Sequence, residues 1–349
     1  MHFNTFLFFL NFKCMKNYEL HVGIDISKLK LDVSFITDPI KKEHDHLIVS
    51  NNKTGLMQLV KAIKKRHAQM NEVLICFENT GVYGMLLAMF LSEQKIDYSM
   101  VAALEIKRSK GITRGKNDKA DARDIALYAI THRHKLSLYQ LPNGDIMKLQ
   151  VLHTQREKLM KCILSLSMSS EDEGFLQKEI LKEVQGISNS GIKKLKELLK
   201  QTEDRMMEII KANEQMKKQY ELATSVPGVG QHVAIALILT TRGFSAFDAW
   251  RQLACYVGIA PFEYSSGSSI RGKTKVSRVA NKKLKGLLNM SALAAKRSDK
   301  EIADYYKKKV GEGKNKMSVL NAIRCKVVAR VFATVQRGTP YVNTQKFAA

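Results

Sequence analysis

Three strand-like runs follow one another before any helical pattern appears, and this order restricts the fold more than any other feature of the chain. The runs are His21–Ile26, Leu31–Thr37 and Asp45–Ser50, all short and rich in apolar and β-branched residues. Helical and strand patterns then alternate: Lys53–Lys65, Val73–Phe77, Val82–Gln94, Tyr98–Val101 and Asp118–His132. Adjacent strands without an intervening helix, followed by β-α-β-α, predict an α/β domain with a mixed sheet rather than a doubly wound one. No GxGxxG follows the first run, which weakens a dinucleotide-binding reading further.

Carboxylates mark the ends of these patterns. Asp25 lies near the end of the first run and Glu78 directly after the fourth, while Asp118 and Asp121 open a helix. Residues three apart on a helix share a face, with Cβ atoms roughly 5–6 Å apart. Neighbouring carboxylates repel and are best tolerated around a cation, and hard oxygen donors suit Mg²⁺ or Mn²⁺. Two such ions can stabilise the attacking and leaving oxygens of a phosphodiester displacement. A plainer reading stands beside this one: Asp118 and Asp121 complement the positive end of the helix, and Asp124 pairs with Arg123 or Lys119. Spacing alone also leaves Asp32 and Asp97 open as members of the acidic set.

Pro142-Asn143-Gly144 is a turn signal and a boundary. Beyond it, Leu149, Leu152, Leu159, Ile163 and Leu166 stand at helical spacing, as do Leu195, Leu198, Leu199, Met206, Ile209 and Ile210, with Gly186–Gly191 as punctuation. This predicts a long helical hairpin or coiled coil, serving as a spacer or as a dimerisation arm. In Ser225-Val-Pro-Gly-Val-Gly, Gly228 and Gly230 make a tight turn before an apolar helix. Such a turn is either an ordinary corner or a helix-hairpin-helix-like nest of backbone N–H groups for a nucleic-acid phosphate. Phe247–Ala260 reads as an apolar helix whose Trp250 belongs to the core, and Pro261–Lys275 as a Gly/Ser-rich basic loop. Asn281–Lys296 and Lys316–Gln336 read as helices, and Tyr305–Lys309 as a basic run with aromatics.

Charge narrows the partners. The 349 residues carry 57 Lys+Arg against 33 Asp+Glu, a net charge of +24. Between Ser265 and Arg330, 18 basic residues face 4 acidic ones. An excess of this size favours a polyanion, most simply nucleic acid. The five cysteines form no CxxC pair, which argues against zinc and fits a reducing cytosol. The apolar run Phe3–Phe12 is too short to span a bilayer and lacks the flanks of a signal peptide. Residues 1–17 are therefore expected to be a dispensable leader, with no membrane association.

GIDISK, FENTGVYG and KNDKADARDIALYA together resemble the N-terminal domain of IS110-family transposases. VPGVGQHVAIAL, LACYVGIAPFEYSSGSSIRGKTKVSRVANKKLKGLL and the end through RGTPYV resemble the family's second domain. The resemblance spans nearly all of residues 20–342. It implies a RuvC-like, ribonuclease-H-type domain over 18–142, a helical hairpin or coiled coil over 143–221, a mostly α-helical transposase domain over 222–342 and a tail over 343–349. It places the acidic tetrad on Asp25, Glu78, Asp118 and Asp121, holding Mg²⁺ or Mn²⁺. It also places a nucleophilic serine on Ser266, which precedes Gly267; without the family, Ser265, Ser266, Ser268 and Ser269 cannot be ranked. One small departure is Ala280, where family members often have glycine.

A serine hydroxyl needs activation, and Arg271, Lys273 and Lys275 can stabilise charge on phosphoryl oxygens. Arg278, Lys282 and Lys283 extend the basic surface expected to contact nucleic acid. The resemblance implies a prokaryotic, nucleoid-associated cytoplasmic recombinase. It would act on donor and target DNA chosen by a structured non-coding bridge RNA, and assemble as dimers pairing into tetramers. Asp25 and Ser266 would then meet, within one chain or across two. Two other readings remain: a RuvC-like, structure-selective endonuclease in which the tetrad activates water, and a non-catalytic nucleic-acid-binding protein.

Overall fold

The computed structural model describes residues 16–38, 45–79, 81–110, 117–167, 177–266 and 270–343. The chain divides into two compact units, with the boundary after Leu141.

The first unit contains β1 (Leu20–Ile26), β2 (Lys30–Ile36), β3 (Asp45–Ser50), α1 (Lys53–Arg66), β4 (Val73–Glu78), α2 (Val82–Glu93), β5 (Tyr98–Val101), α3 (Ala103–Ser109) and α4 (Asp118–Thr131). The strands form one sheet in the order β3-β2-β1-β4-β5. The β1–β2 and β2–β3 pairs are antiparallel, and the β1–β4 and β4–β5 pairs parallel. This is the mixed sheet that three successive strand patterns predict. Lys16 and Asn17, placed in the expected leader, are joined to this unit: Lys16 Nζ is 3.2 Å from Asp97 Oδ2, and Asn17 Oδ1 accepts from Arg133 at 3.3 Å.

Strand alternation separates two chemistries. Leu20, Val22, Ile24, Val33, Phe35, Ile75 and Phe77 pack on one face against Leu56, Leu59 and Ile63 of α1 and Leu87 and Leu91 of α2. The intervening residues, His21, Gly23 and Asp25 of β1, Asp32 and Ser34 of β2, and Leu74, Cys76 and Glu78 of β4, occupy the other face. Leu74 and Cys76 pack there against Ile125, Tyr128 and Ala129 of α4 and Ile106 of α3. Polar residues thus alternate into the α4 side, and the helix that covers them carries two of the expected acidic residues.

The second unit comprises α5 (Gly144–Ser167), α6 (Lys178–Ala212), α7 (Glu214–Thr224), α8 (Gln231–Thr241), α9 (Trp250–Val257), β6 (Pro261–Ser266), β7 (Ile270–Val276), α10 (Lys282–Ser298), α11 (Lys300–Gly311) and α12 (Lys316–Arg337). Asn143 stands at the start of α5, its Oδ1 accepting from Asp145 N at 3.1 Å. The helices α5 and α6 pack along each other. The expected punctuation at Gly186–Gly191 is not a break, since α6 runs through both glycines for 35 residues. A glycine inside a helix costs only about 1 kcal/mol relative to alanine, and a Cβ at Gly191 would stand 3.6 Å from Leu166 of α5. Leu149, Met206, Ile210, Met216, Ile235 and Ile238 join the hairpin to α7 and α8. The remaining core gathers Leu237, Leu253, Val257, Leu288, Ile323, Val327 and Val331, with Trp250 packed against it. The expected basic loop at Pro261–Lys275 is instead an antiparallel two-stranded ribbon, β6–β7. Its alternation of apolar, aromatic and β-branched residues with polar ones is a strand pattern that its Gly and Ser content disguises.

Candidate active site

Asp25 and Glu78 stand side by side because β1 and β4 are parallel and in register. Ile24 pairs with Phe77, so the next residue of each strand emerges on the α4 face. Asp32 is the direct antiparallel partner of Asp25 and is 3% exposed. Gly23 lets α4 reach this corner: a Cβ there would lie 2.2 Å from the Ala122 carbonyl oxygen and 2.3 Å from the Ala126 nitrogen. The close approach sets the first turn of α4 beside the end of β1. Asn117 caps that turn, its Oδ1 accepting from Lys119 N at 3.0 Å. Asp118 and Asp121 occupy the turn, and Asp25, Glu78, Asp118 and Asp121 are all half-buried.

The acidic set is partly neutralised by two lysines. Lys30 Nζ lies 3.0 Å from Asp32 Oδ2 and 2.9 Å from Asp118 Oδ2. Lys110 Nζ lies 2.7 Å from Asp121 Oδ1 and 3.1 Å from Asp124 Oδ2. Asp124 therefore pairs with Lys110 rather than with its sequence neighbours Arg123 or Lys119. His46 Nε2 lies 3.1 Å from Asp32 Oδ1. Burial raises the Asp25 carboxyl above its ordinary range, and the charges of Asp121, Asp118 and Asp32 raise it further. Three carboxylates thus act on a fourth, an arrangement whose energy falls when a cation enters.

Asp97 is excluded from this corner. It lies at the other end of the sheet, before β5, where Tyr18 Oη donates to its carboxylate at 2.9 Å. Glu19, His67 and Glu72 gather at that same end; among the described residues they are the only His/Cys/Asp/Glu group with ligand atoms all within 4.8 Å of one another. The tetrad is more open than that group, with Asp118 and Asp121 drawn onto Lys30 and Lys110. Asp32 was left open by spacing alone, and Lys30 and Lys110 were not foreseen beside it. Strand parity could have flagged Lys30 and Asp32, two apart on β2, whereas Lys110 becomes a neighbour only through the α3–α4 connection.

In the second unit Ser266 is the last residue of β6 and pairs with Ile270, while Ser265 pairs with Arg271. Gly267, Ser268 and Ser269 lie outside the described residues. Residues 271, 273 and 275 fall at alternate positions of β7. Arg278, Lys282 and Lys283 are exposed, and Lys283 Nζ lies 2.6 Å from Glu157 Oε2 on α5. Gly228 has φ +86°, and a Cβ there would lie 2.4 Å from the Ser291 carbonyl oxygen, so its open side is filled by α10. The space around Gly230, which precedes α8, is open.

Residues 22–170 match the model of IS110-type DEDD transposases, described as "Transposase", and residues 220–307 match "Transposase IS116/IS110/IS902 family". Pilin gene-inverting proteins of Moraxella lacunata and Moraxella bovis are each 25% identical over 325 residues, covering 92% of this chain and 97% of theirs. The insertion element IS110 uncharacterized 43.6 kDa protein of Streptomyces coelicolor (strain ATCC BAA-471 / A3(2) / M145) is 34% identical over 118 residues, covering 34% of this chain and 29% of that protein. These matches make the protein a DNA transposase or recombinase. More particularly, the chain belongs to the IS110 family of transposases. No helix of the described residues is long and apolar enough to cross a membrane.

Proposed function

We propose that the protein cuts and rejoins DNA through the Ser266 hydroxyl, assisted by Mg²⁺ or Mn²⁺ held by Asp25, Glu78, Asp118 and Asp121. The observation that carries this reading is the convergence of the four carboxylates at the ends of β1 and β4 and the first turn of α4. The strand order β3-β2-β1-β4-β5 supports assigning the domain to the RuvC/ribonuclease-H type. The donors fit a hard divalent ion: they are carboxylate oxygens, and burial together with the neighbouring carboxylates holds the Asp25 carboxyl high. Such an ion, when bound, supplies Lewis-acid polarisation of the scissile phosphate.

The chain's own groups do the rest. Lys30 and Lys110 keep Asp118 and Asp121 in place. The Ser266 hydroxyl gives up its proton and bonds to phosphorus as the 3′ or 5′ oxygen leaves with its electron pair and takes up a proton. The resulting phosphoserine ester conserves the energy of the broken bond for rejoining. Similarity over 92% of the chain to proteins described as inverting a pilin gene supports rejoining as well as cutting.

The same reading includes a bridge RNA that pairs with donor and target DNA, and a homodimer pairing into a tetramer in the nucleoid of a prokaryotic cytoplasm. The +24 charge suits an RNA–DNA assembly. Exposed apolar residues on the long helices, Val151 and Leu164 on α5 and Val184, Ile187 and Leu198 on α6, support a coiled-coil dimerisation arm rather than a passive spacer. Gly230, Arg271, Lys273, Lys275, Arg278 and Lys282 are assigned to nucleic-acid contact, with Gly228 shaping the turn.

The test is to trap a covalent protein–DNA adduct. Wild-type protein with Mg²⁺ should form an adduct that Ser266→Ala and Asp118→Ala both lose. Undiminished strand cutting by Ser266→Ala would refute the serine assignment and favour the metal-dependent endonuclease.

A further inference from the structure

A second charged site lies under the foot of the β6–β7 ribbon, built from residues with no assigned role. Arg324 of α12 is only 7% exposed. Its Nη1 donates to Asn321 Oδ1 at 3.3 Å and its Nη2 to Asn289 Oδ1 of α10, both neutral amides. Its Nε is buried and, among the described residues, has no hydrogen-bond partner. Lys285, one helical turn before Asn289, donates to the Gly258 carbonyl at 2.7 Å, again a neutral group. No carboxylate of the described residues forms an ion pair with either cation. Burying a guanidinium is unfavourable unless it is paired, and a second cation alongside increases the cost. Burial and the Arg324 charge both hold the Lys285 ammonium below its ordinary pKa.

The surroundings permit an anion to enter. Lys285, Asn289 and Asn321 are half-exposed, and Lys282, one turn earlier on α10, is exposed. Asn321 Nδ2 donates to the Ile259 carbonyl at 2.7 Å, and Ile259 leads into β6, whose last residue is Ser266.

We propose that Arg324, Lys285 and Asn289 form a binding site for a backbone phosphate of DNA, seated where α10 and α12 meet the foot of the ribbon. The Lys285 ammonium donates to the phosphoryl oxygens, and the buried Arg324 guanidinium, kept in its plane by the Asn289 amide, supplies positive charge behind it. DNA rather than RNA is assigned because the site adjoins the ribbon that carries Ser266, and that choice rests on the reading of Ser266 as nucleophile.

The test is duplex binding across a salt series. Lys285→Gln should weaken binding about tenfold near 0.1 M salt and lower the magnitude of the log Kd–log salt slope by roughly 0.9. Asn289→Asp keeps the side-chain shape while giving Arg324 a built-in counter-anion. It should raise the Tm of the free protein and weaken duplex binding. Wild-type affinity and slope in both variants would overturn the site. Losses confined to a structured RNA of equal length would overturn the DNA assignment. Failure of the nucleophile reading shows in strand cutting, and failure of the phosphate site in the salt slope.

Discussion

Gly23 lies directly beneath Ala122, so close that a methyl group on the strand would stand 2.2 Å from the helix carbonyl oxygen. This contact sets the height of α4 above β1, and therefore the height of Asp118 and Asp121 above Asp25. Gly23→Ala must displace backbone rather than a flexible side chain, at a cost of about 3 kcal/mol. Urea unfolding should show that loss, and in protein that still folds, DNA strand cutting should fall about 100-fold or more. Wild-type cutting would mean that α4 tolerates a shift.

On the proposed reading of Asp121 as a metal ligand, Lys110 and a divalent ion compete for the same oxygens, since the Lys110 ammonium lies 2.7 Å from Asp121 Oδ1. In metal-free buffer, Lys110→Gln should lower stability by about 1–2 kcal/mol, between the values for exposed and buried pairs. Adding Mn²⁺ should raise the Tm of this variant by more than that of the wild type. Equal shifts would place the ion away from Asp121.

His21 gives the first unit an acid limb. Its ring is 6% exposed, and burial together with the Arg133 charge lowers its pKa from 6.5 to about 4. Between those values the unfolded histidine binds a proton that the folded one refuses. Its contribution is complete above pH 6.5, falls as pH drops toward 4, and is flat below. By pH 4.5 the loss is about 2–3 kcal/mol. His21→Leu should remove this slope, which urea melts at pH 4.5, 5.5 and 7 would measure. An unchanged slope would assign the acid limb to other groups.

Val184 and Ile187 are 55% and 70% exposed on the long helix α6. If the hairpin joins two copies, Ile187→Glu places a charge in the seam and should convert dimer to monomer in light scattering, with the Tm changed by only a few degrees. A monomeric wild type would remove the dimerisation role.

Gly258 shows how local grammar and tertiary packing combine. Its left-handed backbone, φ +73°, ends α9 as a glycine readily does. Yet its lack of a side chain is also required by Ala280, whose Cβ would lie 2.4 Å from an added methyl. The first requirement is visible in the chain's own punctuation; the second involves a residue 22 positions away.

The same division runs through the site. Hydrophobic periodicity was enough for the mixed sheet, for the strand ends that carry Asp25 and Glu78, and for the helix opened by Asp118 and Asp121, because each is encoded within a few adjacent residues. Asp32 and Asp97 were indistinguishable by spacing, and only the pairing of β1 with β2 brings Asp32 to Asp25 while the order of β5 sends Asp97 to the opposite end. The Gly- and Ser-rich stretch at Pro261–Lys275 read as a loop because ribbon pairing depends on cross-strand partners. Lys110 and the buried Arg324 carry no local signal at all. A cation's role depends on which carboxylates, amides or empty space surround it, and those neighbours come together only when distant segments pack.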